Sequence, residues 1–293
     1  MAAFGSATVR ESAIAGTWYP GSAPALRQTV EGYLAAVKPT QAPGKVVALV
    51  SPHAGYAYSG PTAAHAFAQV RGADYARVVL IGPLHRPIRG SKLGAWMTPA
   101  EDAFRTPLGD VRLDRDFIAE LGQRVLLTAV RGDQEHALGI GLPFLQVALS
   151  GSSPGGGFQL VPIMAGEYIG DPGTPAHVEQ MAAALADLCA DRTSLLVAST
   201  DLTHLDNYAE VVRIDRTLLD LVDAFDVVGL NAALQAERVQ ACGAVGLVTV
   251  LRAAQMLGAR RSQVLTYAAS GDVTGDKRPG TYCVGYMAAA VYI

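Results

Sequence analysis

Short apolar runs alternate along this chain with longer stretches of helical periodicity. Six runs are apolar at nearly every position, as expected for strands that helices cover on both faces of a sheet. These six predicted strands are Val46–Ser51, Arg77–Gly82, Gln159–Met164, Ser194–Ser199, Gln263–Ala268 and Tyr282–Val291.

Between these runs, apolar residues recur at steps of three and four, which places them on one face of a helix. The predicted helices cover Pro61–Val70, His136–Leu149, Val178–Leu188, Ile214–Phe225 and Gly243–Leu257. Strands that alternate with helices of these lengths predict an α/β fold. We expect three layers, α/β/α, with a mostly parallel central sheet.

The chain shows no internal repeat, and no linker divides its 293 residues. Its loosest stretch, Ser150–Gly157, is short enough to be a surface loop between a helix and a strand. A single α/β domain of this length is common. Residues 1–293 are therefore interpreted as one domain.

Composition limits the classes of function. The formal charge is −3, with no block of like charge, which argues against binding to nucleic acid or to an anionic membrane surface. The apolar runs are far shorter than the roughly 20 residues of a membrane helix, and Arg10 and Glu11 stand where a signal peptide would be apolar. Three cysteines without a CxxC pair indicate reduced thiols. We expect a cytoplasmic protein.

Histidines follow three of the predicted strands. His53 comes just after the first strand and Pro52, His85 follows the second strand, and His204 follows the fourth. In open α/β sheets, ligands bind beyond the carboxyl ends of the strands. Three histidines at equivalent strand ends therefore predict one shared polar pocket, and imidazole is a common metal ligand.

Other polar residues near predicted element ends have two interpretations each. Glu135 before a predicted helix would favour the helix start electrostatically, or Glu135 and His136 would reach the same crevice. Cys242, before the helix Gly243–Leu257, fits either a small buried residue or a thiol activated by the helix dipole. His65 and His177 fall on helical patterns and are assigned to surface or packing.

Several segments together resemble the Memo family, which is also called protein B of the AmmeMemoRadiSam system. They follow one another in order over nearly the whole chain: Ala15–Pro20, Pro52–Tyr56 with Ser59-Gly60, Gly82–His85, Glu135-His136, Asp201–His204, Cys242-Gly243 and Ser270–Asp276.

The resemblance implies a fold like that of the class III extradiol, or LigB-like, dioxygenases. Those enzymes hold a non-haem iron with two histidines and a glutamate. His53 and His85 stand at the positions of the two histidines, and His204 at that of the base that takes a proton from the catechol. Cys242 replaces the carboxylate ligand, so ring cleavage does not follow from the resemblance.

This family pattern implies one metal ion bound by His53, His85 and Cys242. A thiolate softens the site relative to a carboxylate, so we expect Fe(II), with Cu(I) or Zn(II) as alternatives. Asp201 would orient a ligand or fix a histidine tautomer, and His204 would act as acid and base. Asp201, His204 and Cys242 thus form the predicted catalytic set.

A small-molecule or peptide ligand is expected beside the metal. The predicted substrate-binding residues are Trp18, Tyr19, Tyr56, Tyr58, Glu135, His136 and Asp272. Asp272 lies in the segment Ser270–Asp276, which has two glycines and two aspartates. Such a segment is typical of a turn, and it would alternatively form the rim of the substrate pocket.

Three functions remain open from the sequence. The first is a metal-dependent oxidoreductase, which the presence of His204 favours because a metal carrier would not need that base. The second is a metal-free enzyme with Cys242 as nucleophile and a histidine as its base. The third is a non-catalytic adaptor that binds metal or peptide. The family also implies two partner proteins, a radical S-adenosylmethionine protein and an AMMECR1-like protein.

Overall fold

The structure is a computed structural model that describes residues 8–38, 43–86, 88, 96–150, 157–191 and 193–293. Its strands within these ranges are β1 Val9–Arg10, β2 Val46–Ser51, β3 Arg77–Pro83, β4 Trp96–Pro99, β5 Ala103–Thr106, β6 Gly109–Arg112, β7 Leu127–Val130, β8 Gln159–Ala165, β9 Ser194–Ser199, β10 His204–Leu205, β11 Arg261–Ala269 and β12 Cys283–Tyr292. Its helices are α1 Ala23–Ala36, α2 Tyr56–Ala68, α3 Arg115–Leu121, α4 Leu142–Ala148, α5 Thr174–Leu188, α6 Tyr208–Asp223, α7 Val227–Gln235, α8 Ala244–Met256 and α9 Ser270–Thr274.

The main sheet has the strand order β10-β12-β2-β9-β3-β8-β4-β7. Strand β11, which is outside this order, also pairs with β12, in the antiparallel sense. Its centre, β2-β9-β3-β8, is parallel throughout. The flanking strands β12 and β4 join this centre in the antiparallel sense. All six predicted strands are present, and the α/β prediction is confirmed, with a sheet that is parallel at its centre and mixed at its edges.

Helices cover both faces of this sheet. On one side α2 packs against β2 and β12 and contacts α1 and α4, while on the other α8 packs against β2, β3 and β9 and contacts α5. Every residue of β2 and β9 is buried, which is why these strands are apolar at both alternating positions. The predicted α/β/α layering is confirmed.

The segment before α4 differs from its predicted helix. Helix α4 begins at Leu142, whereas the sequence pattern placed its start at His136. Pro143 lies in the first turn, where its missing N–H and fixed φ suit a helix start. The preceding residues form a turn instead, in which the amides of Gly139 and Ile140 both donate to the carbonyl of His136. This turn brings His136 to the strand ends.

A second, small sheet has the strand order β1-β5-β6. Its strands have two to four residues, too few for an alternating pattern to be recognised in the sequence. Strand β1 pairs parallel with β5. The sheet thereby fixes Arg10, whose side chain points into the protein.

Most of the buried core is one apolar cluster that includes residues from all four strands of the parallel centre and most of the helices, and a small second cluster contains Val211, Ala269 and Cys283. Among the residues the structure describes, none of the helices has the length and apolar character needed to cross a membrane. The predicted loop Ser150–Gly157 lies largely outside the described residues, which omit 151–156.

Candidate metal centre

Three histidines meet beyond the carboxyl ends of β2 and β3. His53 and His85 follow these strands directly, and His136 comes from the turn before α4. Each of the three histidines has a ring nitrogen that lies within 4.8 Å of a ring nitrogen of each of the other two. The ring centroids are 5.1 Å apart for His53 and His85 and 4.4 Å apart for His85 and His136. Two of the predicted strand-end histidines are thus brought together.

A hydrogen-bond chain fixes the tautomer of His53. The Ser199 hydroxyl, at the end of β9, donates its only proton to the carbonyl of Ala137 at 2.8 Å. The same hydroxyl lies 2.9 Å from Nδ1 of His53 and must therefore accept from an Nδ1–H there. Nε2 of His53 consequently keeps its lone pair and is free to bind a metal ion.

Glu135 holds His85 by both its backbone and its ring. Its Oε2 accepts from the backbone N–H of His85 at 2.7 Å, and its Oε1 accepts from Nδ1 at 2.9 Å. Burial would raise the pKa of Glu135, but the hydrogen bonds from His85 and from the amide of Ala137 outweigh it and lower the pKa to about 2. The carboxylate is thus ionised, and it leaves Nε2 of His85 free.

His136 approaches the same carboxylate, with Nδ1 3.3 Å from Oε1 of Glu135. Burial lowers its pKa to about 4, an effect that Glu135 partly offsets and that the charge of His85 reinforces. Burial also lowers the pKa of His53 well below 6.5, together with the charges of His85 and His136. Both rings are therefore neutral near pH 7, which is the form that binds metal.

Cys242 adjoins this cluster through His53. Its Sγ lies 3.1 Å from Nε2 of His53 and accepts the backbone N–H of Asp201 at 3.1 Å. A Cβ at the next residue, Gly243, would lie 2.4 Å from the carbonyl oxygen of Ser199, so only glycine permits this close approach to the end of β9. The group of ligand atoms within 4.8 Å of one another does not include Cys242.

The thiol of Cys242 is not activated. Burial raises its pKa, and the negative charge of Asp201 raises it further. Hydrogen bonds to the sulfur lower the pKa, but by less than these two effects raise it. Any dipole effect from the start of α8 is therefore outweighed, and the thiol is protonated unless a metal ion binds it. Its role as a ligand stays a prediction.

Asp201 holds the backbone of His53, not its ring. Its Oδ1 accepts the His53 N–H at 2.7 Å, and its Oδ2 is 4.0 Å from Nε2. Burial raises the pKa of Asp201 to about 7, although hydrogen bonds from the amides of His53 and Ala54 oppose the shift. Asp201 therefore fixes where the residue after β2 lies.

His204 forms the opposite wall, on the short strand β10. Its Nδ1 lies 2.7 Å from the carbonyl oxygen of Leu202 and donates to it. Nε2 is thus unprotonated, and burial lowers the pKa of the ring. A neutral imidazole with a free nitrogen is able to accept a proton from a ligand in the cavity.

The three histidines, Asp201 and His204 line one cavity of about 580 Å³. Exposed aromatic rings stand around it: Trp18, Tyr58 and Tyr282. Trp18 packs against His136, with ring centroids 4.4 Å apart. The cavity therefore combines a nitrogen-rich floor with an aromatic rim.

Four predicted substrate-binding residues do not line this cavity, and one of them, Glu135, is buried behind His85, whose backbone and ring it holds. Tyr19 and Tyr56 are each 3% exposed and lie in the core, where Tyr56 donates to the carbonyl of Ile140. Asp272 holds α9 in place by accepting from Tyr208 and from the amide of Ala269. The turn interpretation of that segment therefore fits better than the rim interpretation.

Two residues of the site were not anticipated. Ser199 was seen only as the last residue of a strand, although β2 and β9 pair it directly with Ser51, two residues before His53. Tyr282 was counted as the first residue of a strand, but β12 begins at Cys283, which leaves the Tyr282 ring at the rim. The sequence did offer one signal for Ser199, since it is a polar residue at the end of a central, otherwise apolar strand.

A second cavity, of about 290 Å³, shares His204 with the first and is also lined by Cys242. Its remaining wall is largely apolar and includes Leu202 and Leu234. Tyr168 and Glu237 form a hydrogen bond of 3.1 Å beside it. Cys242 therefore lies between His53, which lines the first cavity, and the second cavity.

The donor set fits a metal ion. The Nδ1–H groups of His53 and His85 donate hydrogen bonds, so the lone pair of each Nε2 can bind a metal ion. Neutral imidazoles suit Zn, Cu and Fe. Carboxylate or hydroxyl partners on the second ring nitrogen are the usual support of such ligands. The cluster of His53, His85 and His136 could therefore hold a metal ion.

Comparison with known proteins agrees with the resemblance. The model of the family described as "Memo-like protein" matches residues 10–290. A MEMO1 family protein of Methanococcoides burtonii is 32% identical over 288 residues, which cover 97% of this chain and 100% of the relative. A MEMO1 family protein of Thermotoga maritima is 31% identical over 300 residues, covering 97% and 99%. The chain belongs to the Memo family.

Proposed function

We propose that this protein binds one metal ion through His53, His85 and Cys242, and that it is a metal-dependent oxidoreductase acting on a small or peptide-borne substrate. The observation that carries the proposal is the pair of Nε2 atoms left free by hydrogen bonds from Nδ1 to Ser199 and Glu135. Fe(II) is the proposed ion, with Cu(I) or Zn(II) as alternatives.

The position of Cys242 supports its inclusion. An ion about 2.1 Å from a nitrogen and about 2.3 Å from a sulfur, in tetrahedral geometry, separates the two by about 3.6 Å. Sγ of Cys242 is now 3.1 Å from Nε2 of His53, close to this separation, but it lies outside the group formed with His85, so a shared ion would require the thiol to turn towards His85. His136 lies within the same cluster and is the alternative third ligand.

The number of protein ligands bears on catalysis. Three ligands leave a position open for a substrate, whereas four close the site as in structural metal centres. When bound, the ion would supply Lewis acidity and, for iron or copper, a change of oxidation state. His204 would take a proton from a substrate hydroxyl at its free Nε2, and the aromatic rim would exclude water.

The metal proposal is tested by elemental analysis of protein purified without a metal-binding tag. We expect about one equivalent of metal in the wild type and the loss of most of it in the His53→Ala/His85→Ala protein. The matched control is His65→Ala/His177→Ala, which removes two histidines outside the cluster. Equal metal content in both double variants would refute the ligand assignment.

The oxidoreductase proposal is tested by dioxygen uptake of Fe(II)-loaded protein with catechols as probes. We expect uptake that His204→Gln reduces while the metal content stays unchanged, because this variant loses the proposed base but no ligand. Uptake no greater than that of the His53→Ala/His85→Ala protein would instead favour the metal- or peptide-binding adaptor. A radical S-adenosylmethionine protein and an AMMECR1-like protein are the partners we propose for co-purification.

The metal-free Cys–His enzyme receives less support. Cys242 and His53 are close enough to form such a pair, at 3.1 Å. However, burial raises the pKa of the thiol and lowers that of the imidazole. A proton transfer from Cys242 to His53 is thus disfavoured at both ends.

A further inference from the structure

A buried ion pair lies next to the metal site, between Arg10 of β1 and Asp133. Nε of Arg10 donates to Oδ2 of Asp133 at 2.9 Å, and Nη2 donates to Oδ1. The side chains are 3% and 0% exposed. The guanidinium carbon also lies 4.1 Å from the centre of the Phe104 ring. Arg10 is therefore held rigidly on two sides.

The same two side chains clamp the backbone of Glu135. Nη2 of Arg10 donates to the carbonyl oxygen of Glu135 at 2.8 Å, and the amide of Glu135 donates to Oδ1 of Asp133 at 3.1 Å. Both polar backbone atoms of Glu135 are thus bound by one ion pair. Its carboxylate is in turn bound to the backbone and the ring of His85.

We propose that Arg10 and Asp133 are positioning residues for the metal site: by clamping Glu135 they set the direction of Nε2 of His85 and the place of His136. The inference rests on the proposed function, because it takes His85 to be a metal ligand. It also gives the small sheet β1-β5-β6 a role, since that sheet carries Arg10. A planar guanidinium suits this role, because its fork binds Asp133 and the Glu135 carbonyl together.

The chain offers a matched control pair elsewhere. Arg77 donates from Nε to Oδ2 of Asp114 at 2.7 Å, and its guanidinium carbon lies 4.4 Å from the centre of the Phe117 ring. This pair is also mostly buried. Asp114 caps α3 by accepting the amide of Phe117, so the pair supports a helix and touches none of the clustered histidines.

The test compares Arg10→Met/Asp133→Leu with Arg77→Met/Asp114→Leu. Replacing both partners leaves no unpaired buried charge, which is the costly outcome of a single replacement. Zn(II) affinity is measured at pH 7 by competition with a chromophoric chelator, for variants that circular dichroism shows to be folded. We expect the affinity to fall by about 10- to 100-fold for the first variant and to stay near the wild-type value for the second. Equal affinities of the two would overturn the proposal.

A milder variant keeps the test decisive if the first double variant does not fold. Arg10→Lys keeps the positive charge beside Asp133 but lacks the fork that reaches the Glu135 carbonyl. We expect it to be folded and to bind Zn(II) more weakly than the wild type and than Arg77→Lys. Wild-type affinity in folded Arg10→Lys would contradict the proposal.

A second readout does not depend on metal. In metal-free protein, nitrogen-15 spectra of the histidines should show His85 fixed with its proton on Nδ1 in the wild type, and as a mixture of tautomers in the Arg10 variants. If the wild type bound no Zn(II), the proposed function would fail while this readout still tested the clamp. An unchanged His85 signal in the Arg10 variants would count against the clamp itself.

Discussion

Two buried carboxyl groups flank the histidine cluster, and they differ in charge. Glu135 supports His85, and Asp201 supports His53. Their side chains are 1% and 6% exposed, so both carboxyl groups are buried. Yet the pKa of Glu135 is lowered to about 2 and that of Asp201 is raised to about 7, with burial as the largest single contribution in both cases.

The two carboxyl groups differ in their hydrogen-bond donors. Glu135 accepts two hydrogen bonds from His85 and one from the Ala137 amide, and one of these comes from an imidazole ring that carries charge when protonated. Asp201 accepts only backbone amides. The charge of His85 lowers the pKa of both carboxyl groups, but His85 donates hydrogen bonds to Glu135 alone, and only there do the favourable interactions outweigh the cost of burial. Glu135 is thus suited to orient a ligand ring, and Asp201 to hold a backbone.

The first prediction tests this role of Glu135. We expect Glu135→Gln to lower Zn(II) affinity by about 10- to 100-fold. The carboxylate uses one oxygen for the backbone N–H of His85 and the other for its ring, whereas a side-chain amide has only one oxygen that accepts. The measurement is chelator competition at pH 7. Glu167→Gln is the control, since Glu167 accepts from Nδ1 of His177 in the same manner outside the cluster. Loss of affinity in both variants would mean that the effect is not specific to the site.

The second prediction uses Asp215, a buried carboxyl away from the clustered histidines. It accepts from the hydroxyl of Tyr267 and the amide of Thr203, and burial raises its pKa to about 6. An unfolded aspartate titrates near 3.9. Between about pH 4 and pH 6 the folded chain therefore binds more protons, so this group lowers the free energy of unfolding as pH rises through that window, by at most about 3 kcal/mol.

Asp215→Asn removes this titration. We expect the difference in unfolding free energy between variant and wild type to shift in favour of the variant from pH 4 to pH 6 and to stay constant above pH 6. Urea unfolding at several pH values measures this difference, in which the contributions of all other groups cancel. A difference that does not change with pH would show that Asp215 has the pKa of an ordinary aspartate. Burial would then not raise the pKa of a carboxyl group that accepts only a few hydrogen bonds in this fold.

The parallel centre of the fold was predictable because its strands are apolar on both faces. The carboxyl-end positions of His53 and His85 followed from two prolines, Pro52 directly after β2 and Pro83 as the last residue of β3. The small sheet was not predictable, since two-residue β1 carries no periodicity. Nor was the clamp, because Arg10 and Asp133 are 123 residues apart and nothing local in the sequence pairs them.

The site was predictable in its residue types more than in its contacts. The sequence left open whether His136 reaches the crevice. The apolar pattern predicted a helix over His136–Leu149, whereas residues before Leu142 form the turn that brings this ring to the cluster. Tyr56 was expected at the pocket because it follows a strand end, but α2 begins at Tyr56 and turns its ring into the core. The direction of a side chain at an element's first residue depends on the turn before it.

The third prediction concerns Cys242, whose sulfur accepts the backbone N–H of Asp201. We expect iodoacetamide to label Cys242 slowly, because burial keeps the thiol protonated, and more slowly still when Zn(II) is bound, because the ion would hold the sulfur. Site-resolved mass spectrometry measures the rate, with the buried Cys189 and Cys283 as internal controls. Fast labelling with and without Zn(II) would favour the Cys–His enzyme.

The route to this thiol is checked with two further variants. Ala241 lines the second cavity together with Cys242, and Ala57 lines only the histidine cavity. We expect Ala241→Phe to slow labelling of the metal-free protein and Ala57→Phe to leave it unchanged. The reverse result would mean that the reagent reaches Cys242 past the histidines.

The smallest effect is expected for Asp201. Asp201→Asn keeps a carbonyl oxygen that can accept the backbone amide of His53, and it removes a charge that is only partly present at pH 7, because the pKa is about 7. The ring of His53 keeps its partner Ser199, so the direction of Nε2 should not change. We therefore expect Zn(II) affinity to fall by less than about tenfold, below the range for loss of a partner of a ligand ring. Chelator competition at pH 7 measures it beside Glu135→Gln. If Asp201→Asn lost as much affinity as Glu135→Gln, the two carboxyl groups would be equivalent supports, and the hydrogen bond from the His85 ring would not set Glu135 apart.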